Sequence, residues 1–132
     1  MLAQVLAYGL FGCAVEYVFT LVLRRAALPS AWMIPLYGLA AILFPPLRGA
    51  VRDRPALVRA GVYGAAMLVA EYAIGRSLRA AFGSVPWTYT ARLAVDGVTR
   101  LDYFPLWALY GLALERLQTA LGEAANQRVG AR

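Results

Sequence analysis

A chain of 132 residues that is 61% hydrophobic and only 15% charged has too little interior to hide its apolar surface from water, which excludes an ordinary soluble domain and points to a membrane protein. Its formal charge of +6 comes wholly from arginine, 13 residues against seven acids, and in a chain without lysine this fits positive ends on membrane helices rather than nucleic-acid binding. The absence of histidine removes histidine-based metal sites, triads and proton shuttles, and the single Cys13 cannot form an internal disulfide.

In chain order, residues 2–23 form the first predicted span, interrupted only by Gln4, Glu16 and Thr20 and closed by Arg24 and Arg25. The opening Met1-Leu2-Ala3-Gln4 lacks the positive start of a cleaved signal peptide. A second span is predicted over 27–47, through Trp32, Pro35 and Phe44, with a kink or ragged end at Pro45-Pro46. Arg48, Arg52, Arg54 and Arg59, with Asp53, mark the following turn. The third span covers 57–76 and contains Glu71; the fourth covers 103–121 and contains Glu115. Between them, residues 76–102 form a longer polar connection in which Ser84 to Thr90 is either an interfacial or re-entrant segment or an ordered loop. Arg92, Asp96, Arg100 and Asp102 read as a solvated charge set. Residues 122–132 read as a short polar tail, which leaves one transmembrane domain over 1–121.

The halves resemble each other. Tyr8-Gly9 and Glu16-Tyr17 recur as Tyr63-Gly64 and Glu71-Tyr72, and Trp32 recurs as Trp87, all 55 positions later. Pro35-Leu36 recurs as Pro105-Leu106. The predicted fold is therefore all-α and polytopic, with four transmembrane helices arranged as two repeated hairpins of the same orientation. The dense arginines of the turn after the second span place both termini in the cytoplasm.

The three glutamates carry the functional reading. A charged side chain at the membrane centre costs about 2.5–3.5 kcal/mol on insertion scales. A buried leucine or isoleucine returns only about 0.3–0.6 kcal/mol. Glu16 shares a helix face with Gly9, Gly12 and Thr20; Glu71 with Gly61, Gly64 and Gly75; Glu115 with Trp107 and Gly111. Small residues let helices approach closely, so these faces should pack inward. Glu16, Glu71 and Glu115 are thus candidates for one buried acidic site. Carboxylates crowded in low dielectric hold protons more tightly and become candidates for proton exchange. They could equally neutralise a bound cation, an organic amine or a hard divalent metal, or pair internally with Arg76 or Arg79. The plainer alternative is that the glycine faces only pack helices, and that each acid is protonated, is bonded to a tyrosine hydroxyl or tryptophan indole, or only specifies pairing. Trp87 and Tyr89 read as interfacial aromatics before they read as a ligand cage.

At these residues the chain resembles a known family. Tyr8-Gly9, Gly12 to Glu16, Phe19-Thr20, Ala31-Trp32, Leu36-Tyr37-Gly38, Glu71 with Gly75, Pro86-Trp87, Tyr89, Gly97, Leu101, Tyr103, Trp107, Gly111 and Glu115 form an ordered set over about residues 8–118. That set resembles the bacterial CmpB-like proteins related to type IV ABC transporters, and is similar to the vertebrate transmembrane protein 229 family. The family pattern usually reads Trp-Asp-Tyr where this chain has Trp87-Thr88-Tyr89, so no role of that acid carries over.

The resemblance implies a small transport component in the bacterial inner membrane. Four short helices make a thin pathway, so a homo-oligomer or a larger complex is expected, and an ATP-driven role needs an ATPase partner chain because this one has no phosphate-binding glycine loop. No cofactor is expected, and membrane lipid is the only other expected partner. A non-catalytic scaffold and a lipid- or isoprenoid-modifying enzyme are the alternatives. The missing histidine and the lack of an Asp-rich motif weigh against the enzyme.

Overall fold

The computed structural model describes residues 2–24 and 33–130, the side chains of 23, 24 and 124–130 aside. The expected start of the second span at 27, with Arg25, Ala31 and Trp32, lies outside the described residues, as does Arg132.

The described chain is mostly helical. α1 spans Leu2–Phe19 and continues as a π-helical turn, Thr20–Arg24. α2 (Met33–Gly38) and α3 (Ala40–Val51) follow one another, and helical bonding carries across Leu39, whose N–H donates to Pro35 O at 3.1 Å and Leu36 O at 3.2 Å. α4 spans Ala56–Phe82 and α5 spans Phe104–Gly130. Between α4 and α5 lie two short strands, β1 (Ala94–Val95) and β2 (Thr99–Arg100), and one 3-10 turn, Leu101–Tyr103. Among the described residues, three stretches are long and apolar enough to cross a membrane: Leu2–Val22, Met33–Val51 and Ala56–Phe82. The fourth predicted span falls on α5. At 27 residues α5 has the length to cross, but Glu115, Arg116, Gln118 and Glu123 make it less apolar than the other three. It also runs on through residues 122–130.

Two differences from expectation are local. α3 passes through Pro45 and Pro46 instead of ending there. Each proline removes a helical N–H, which leaves the carbonyls of Ala41 and Ile42 without their usual donors. α4 outruns its predicted end at residue 76 by about two turns, and Arg76 and Arg79, which look like its boundary, bond to Asp96 in the segment that follows. It ends at Gly83, whose φ of 72° only glycine adopts without strain and whose N–H caps Arg79 O at 2.9 Å.

The chain divides into two compact units, residues 1–49 with 116–132, and residues 50–115. In the first, α1 packs on α2 through glycine. A methyl group placed on Gly12 would lie 2.3 Å from the Tyr37 ring, one on Gly9 would lie 2.6 Å from Ile34 O, and one on Gly38 would lie 2.8 Å from Val5. Tyr8 and Phe44 are buried in this unit.

In the second unit α4 packs on the first three turns of α5 in the same manner. A methyl group on Gly111 would lie 2.3 Å from Tyr63 Cβ, and one on Gly64 would lie 3.1 Å from Phe104 O. Tyr63 and Leu114 are fully buried. Lipid is as apolar as leucine, so close van der Waals packing rather than water exclusion holds such faces together. The strands pair antiparallel, Val95 with Thr99 and Ala94 with Arg100. Asp96 and Gly97 at the turn have φ of 52° and 68°, the sign pattern of a type I′ hairpin, for which Asp-Gly is a preferred pair.

Candidate carboxylate site

The hairpin lies on α4 at the level of Glu71. Gly75, one turn beyond Glu71, makes room for Val98, whose Cβ would stand 2.7 Å from a methyl group there. Trp87 donates its indole N–H to Val98 O at 2.7 Å, and Tyr89 N–H donates to Gly97 O at 2.9 Å. These bonds bring two hydroxyls onto Glu71. Tyr89 donates to Oε1 at 2.8 Å, and Thr99, itself buried, donates to Oε2 in a short hydrogen bond. Tyr103 stacks edge-on against Tyr89, with ring centres 5.6 Å apart.

A second set of bonds lies beside the first. Asp96 Oδ2 accepts from Tyr72 at 2.8 Å and from Arg76 at 3.2 Å, and Arg79 donates to the Asp96 carbonyl at 2.6 Å. Arg76 and Arg79, expected as possible partners of a membrane glutamate, serve the hairpin turn instead. Asp96 is exposed, as a member of a solvated charge set should be, and it is also bonded to Tyr72 and Arg76 of α4.

Glu115 forms a separate node on α5. Its Oε2 accepts from Arg59 Nε at 3.0 Å and from Tyr63 at 2.8 Å, with the Arg59 and Glu115 side chains 21% and 18% exposed. Arg59 also donates to Arg54 O at 2.7 Å. Tyr63 and Glu71 are eight positions apart on α4, roughly 12 Å of helix rise, so Glu115 and Glu71 are held by different partners about two turns apart. A tyrosine hydroxyl was one expected partner for such an acid, and Tyr63 supplies it; Arg59 was not anticipated, although its spacing of four from Tyr63 places both on one helix face. Thr99 had no sequence signal of its own; the Asp96-Gly97 turn that delivers it did.

Glu16 sits half-buried on α1 in the first unit, with Cys13 within its electrostatic reach; Thr20 is buried one turn further on. Trp107 is placed edge-on to Tyr110, ring centres 5.7 Å apart. Its buried indole N–H has no hydrogen-bond partner among the described residues. The same residues include no group of three His, Cys, Asp or Glu side chains placed to hold a metal ion.

The family model described as "Putative ABC-transporter type IV" matches residues 3–129. The chain belongs to this family. The match takes in most of both units and Glu16, Glu71 and Glu115. Comparison with curated proteins and with solved structures returns no match. An integral membrane protein related to ABC transporters is thus established by the family and by the three apolar helices.

Proposed function

We propose that the chain is a small membrane component of a transport system and that Glu71 is the carboxylate at which a proton or a cation exchanges. The supporting observation is that a glutamate inside the candidate span Ala56–Phe82 receives one hydroxyl hydrogen on each oxygen, from Tyr89 and Thr99. An ionised carboxylate accepts only and suits both donors. Once protonated, one oxygen carries a hydrogen of its own and becomes a poorer acceptor, so the hydroxyl bond on that oxygen weakens. Proton binding at Glu71 therefore loosens the hairpin at Tyr89 or Thr99, and a cation competes for the same oxygens. That couples site occupancy to the segment between α4 and α5.

Glu115 suits a different role. Its bonds to Arg59 and Tyr63 support a strut between α4 and α5, the part the scaffold reading gives to all three acids. Glu16 is proposed as the counterpart of Glu71 in a duplicated hairpin. Several pairs at equivalent positions support the duplication. Tyr8 and Tyr63 are both buried; Gly9 and Gly64 each face the carbonyl preceding a proline, Ile34 and Phe104; Phe44 and Leu114 are both buried. The two partners of each first-helix pair are 55 positions apart, and those of each second-helix pair are 70 apart. On this reading α5 is a fourth crossing, both termini are cytoplasmic in the bacterial inner membrane, and other subunits supply the ATPase and complete the pathway.

The test is proton release from the protein in liposomes on adding Na⁺, K⁺ or Mg²⁺. Release that is lost in Glu71→Gln and kept in Glu115→Gln supports the reading. Release unchanged in Glu71→Gln, or absent from the native protein with all three cations, removes it.

A further inference from the structure

Arg48 stands in the last turn of α3, near the end of the candidate span Met33–Val51, at the depth where lipid headgroups begin. It is half-buried, and its side-chain hydrogen bonds among the described residues go to neutral groups: Nη1 to Gln118 Oε1 at 3.3 Å and Nη2 to Thr119 Oγ1 at 3.0 Å. The ion pairs among the described residues involve Arg52, Arg59, Arg76 and Arg100, and none involves Arg48. On α1 the phenol of Tyr8 lies within its electrostatic reach. The α3 C-terminus supplies only about half a negative charge, spread over its last carbonyls.

A partly desolvated guanidinium calls for an anion, and its planar fork suits phosphate oxygens. The brace also sets its geometry. Because Gln118 accepts through Oε1, its amide nitrogen contributes two further N–H donors beside the guanidinium. The result is a cationic, donor-rich site at headgroup depth.

We propose that Arg48, with the Gln118 amide beside it, binds the phosphate of an anionic membrane phospholipid. The site is independent of Glu71 and stands or falls separately. The test places the full chain in phosphatidylcholine nanodiscs and follows the thermal unfolding midpoint as phosphatidylglycerol is introduced. The native protein and Arg52→Gln, a neighbouring exposed arginine, should show the same upward shift. Arg48→Gln should lose most of it, with apparent phosphatidylglycerol affinity about tenfold weaker, as expected when one charge-assisted bond is lost. Gln118→Ala, which keeps the cation, should lose part of it and covers the case in which Arg48→Gln does not fold. A full shift in Arg48→Gln, or an undiminished one in Gln118→Ala, overturns the site. So does an equal shift from inorganic phosphate in pure phosphatidylcholine, which would make the ligand a free anion.

Discussion

The Tyr89 hydroxyl donates to Glu71 Oε1 over 2.8 Å, fastening the segment between α4 and α5 to a carboxylate inside a membrane-crossing helix. A hydrogen bond to a charged acceptor contributes about 1.5–3 kcal/mol. Tyr89→Phe should therefore loosen the hairpin without unfolding the helices. The check is hydrogen exchange at the amides of Tyr89 and Leu101, which bond within this segment to Gly97 O and Leu93 O. Both should exchange faster in Tyr89→Phe and in Thr99→Val, while amides in the middle of α4 keep their protection. Unchanged exchange at the hairpin would show that the hydroxyls do not hold it.

Arg59 and Glu115 should be strongly coupled. Removing either leaves a partly desolvated charge on the other, and Tyr63 shares the same oxygen. A double-mutant cycle with Arg59→Ala and Glu115→Ala should give a coupling energy of about 1–3 kcal/mol in unfolding measurements. Additive losses would remove the strut.

The glycines divide into two groups by what surrounds them. Gly12→Val and Gly111→Val drive methyl groups into Tyr37 and Tyr63 and should each destabilise by about 1–3 kcal/mol or more. Gly61 has open space within 4 Å, so Gly61→Ala should be neutral or stabilise α4 by up to about 1 kcal/mol through helix propensity. Thermal unfolding in one detergent checks all three. Equal effects at Gly61 and Gly111 would contradict the packing described.

Arg100 gives a pH dependence outside the membrane-crossing helices. It forms two bonds to Asp102 and holds that carboxyl below its ordinary range. A lowered folded value means the pair is fully present above the unfolded aspartate value of about 3.9 and is lost as pH falls from there through the lower folded value. Side-chain NMR titration of Asp102 should show protonation at lower pH than in Arg100→Gln. Identical titration in the two proteins would remove the pair.

The apolar runs of α1 and α4 and the glycine faces around Gly9, Gly12, Gly64 and Gly111 were legible because helical spacing and small side chains are written directly in the chain. Glu71 and Glu115 were legible as acids in apolar helices, but not their partners. Arg59 reaches Glu115 across 56 positions and Thr99 reaches Glu71 across 28, and pairings at that range depend on how the elements pack. The hairpin was hidden in a polar stretch whose one strong local signal was Asp96-Gly97. The end of α4 was misplaced because Arg76 and Arg79 look like a span boundary, whereas the helix continues past them and both side chains bond to Asp96 in the hairpin turn.

The account rests on Glu71 changing protonation while lodged in α4, and infrared titration of the protein in lipid reads this directly. A protonated-carboxyl band that grows as pH falls, loses intensity in Glu71→Gln and shifts frequency in Tyr89→Phe is the predicted result. A spectrum whose titrating carboxyl band is the same in the native protein and in Glu71→Gln would contradict it.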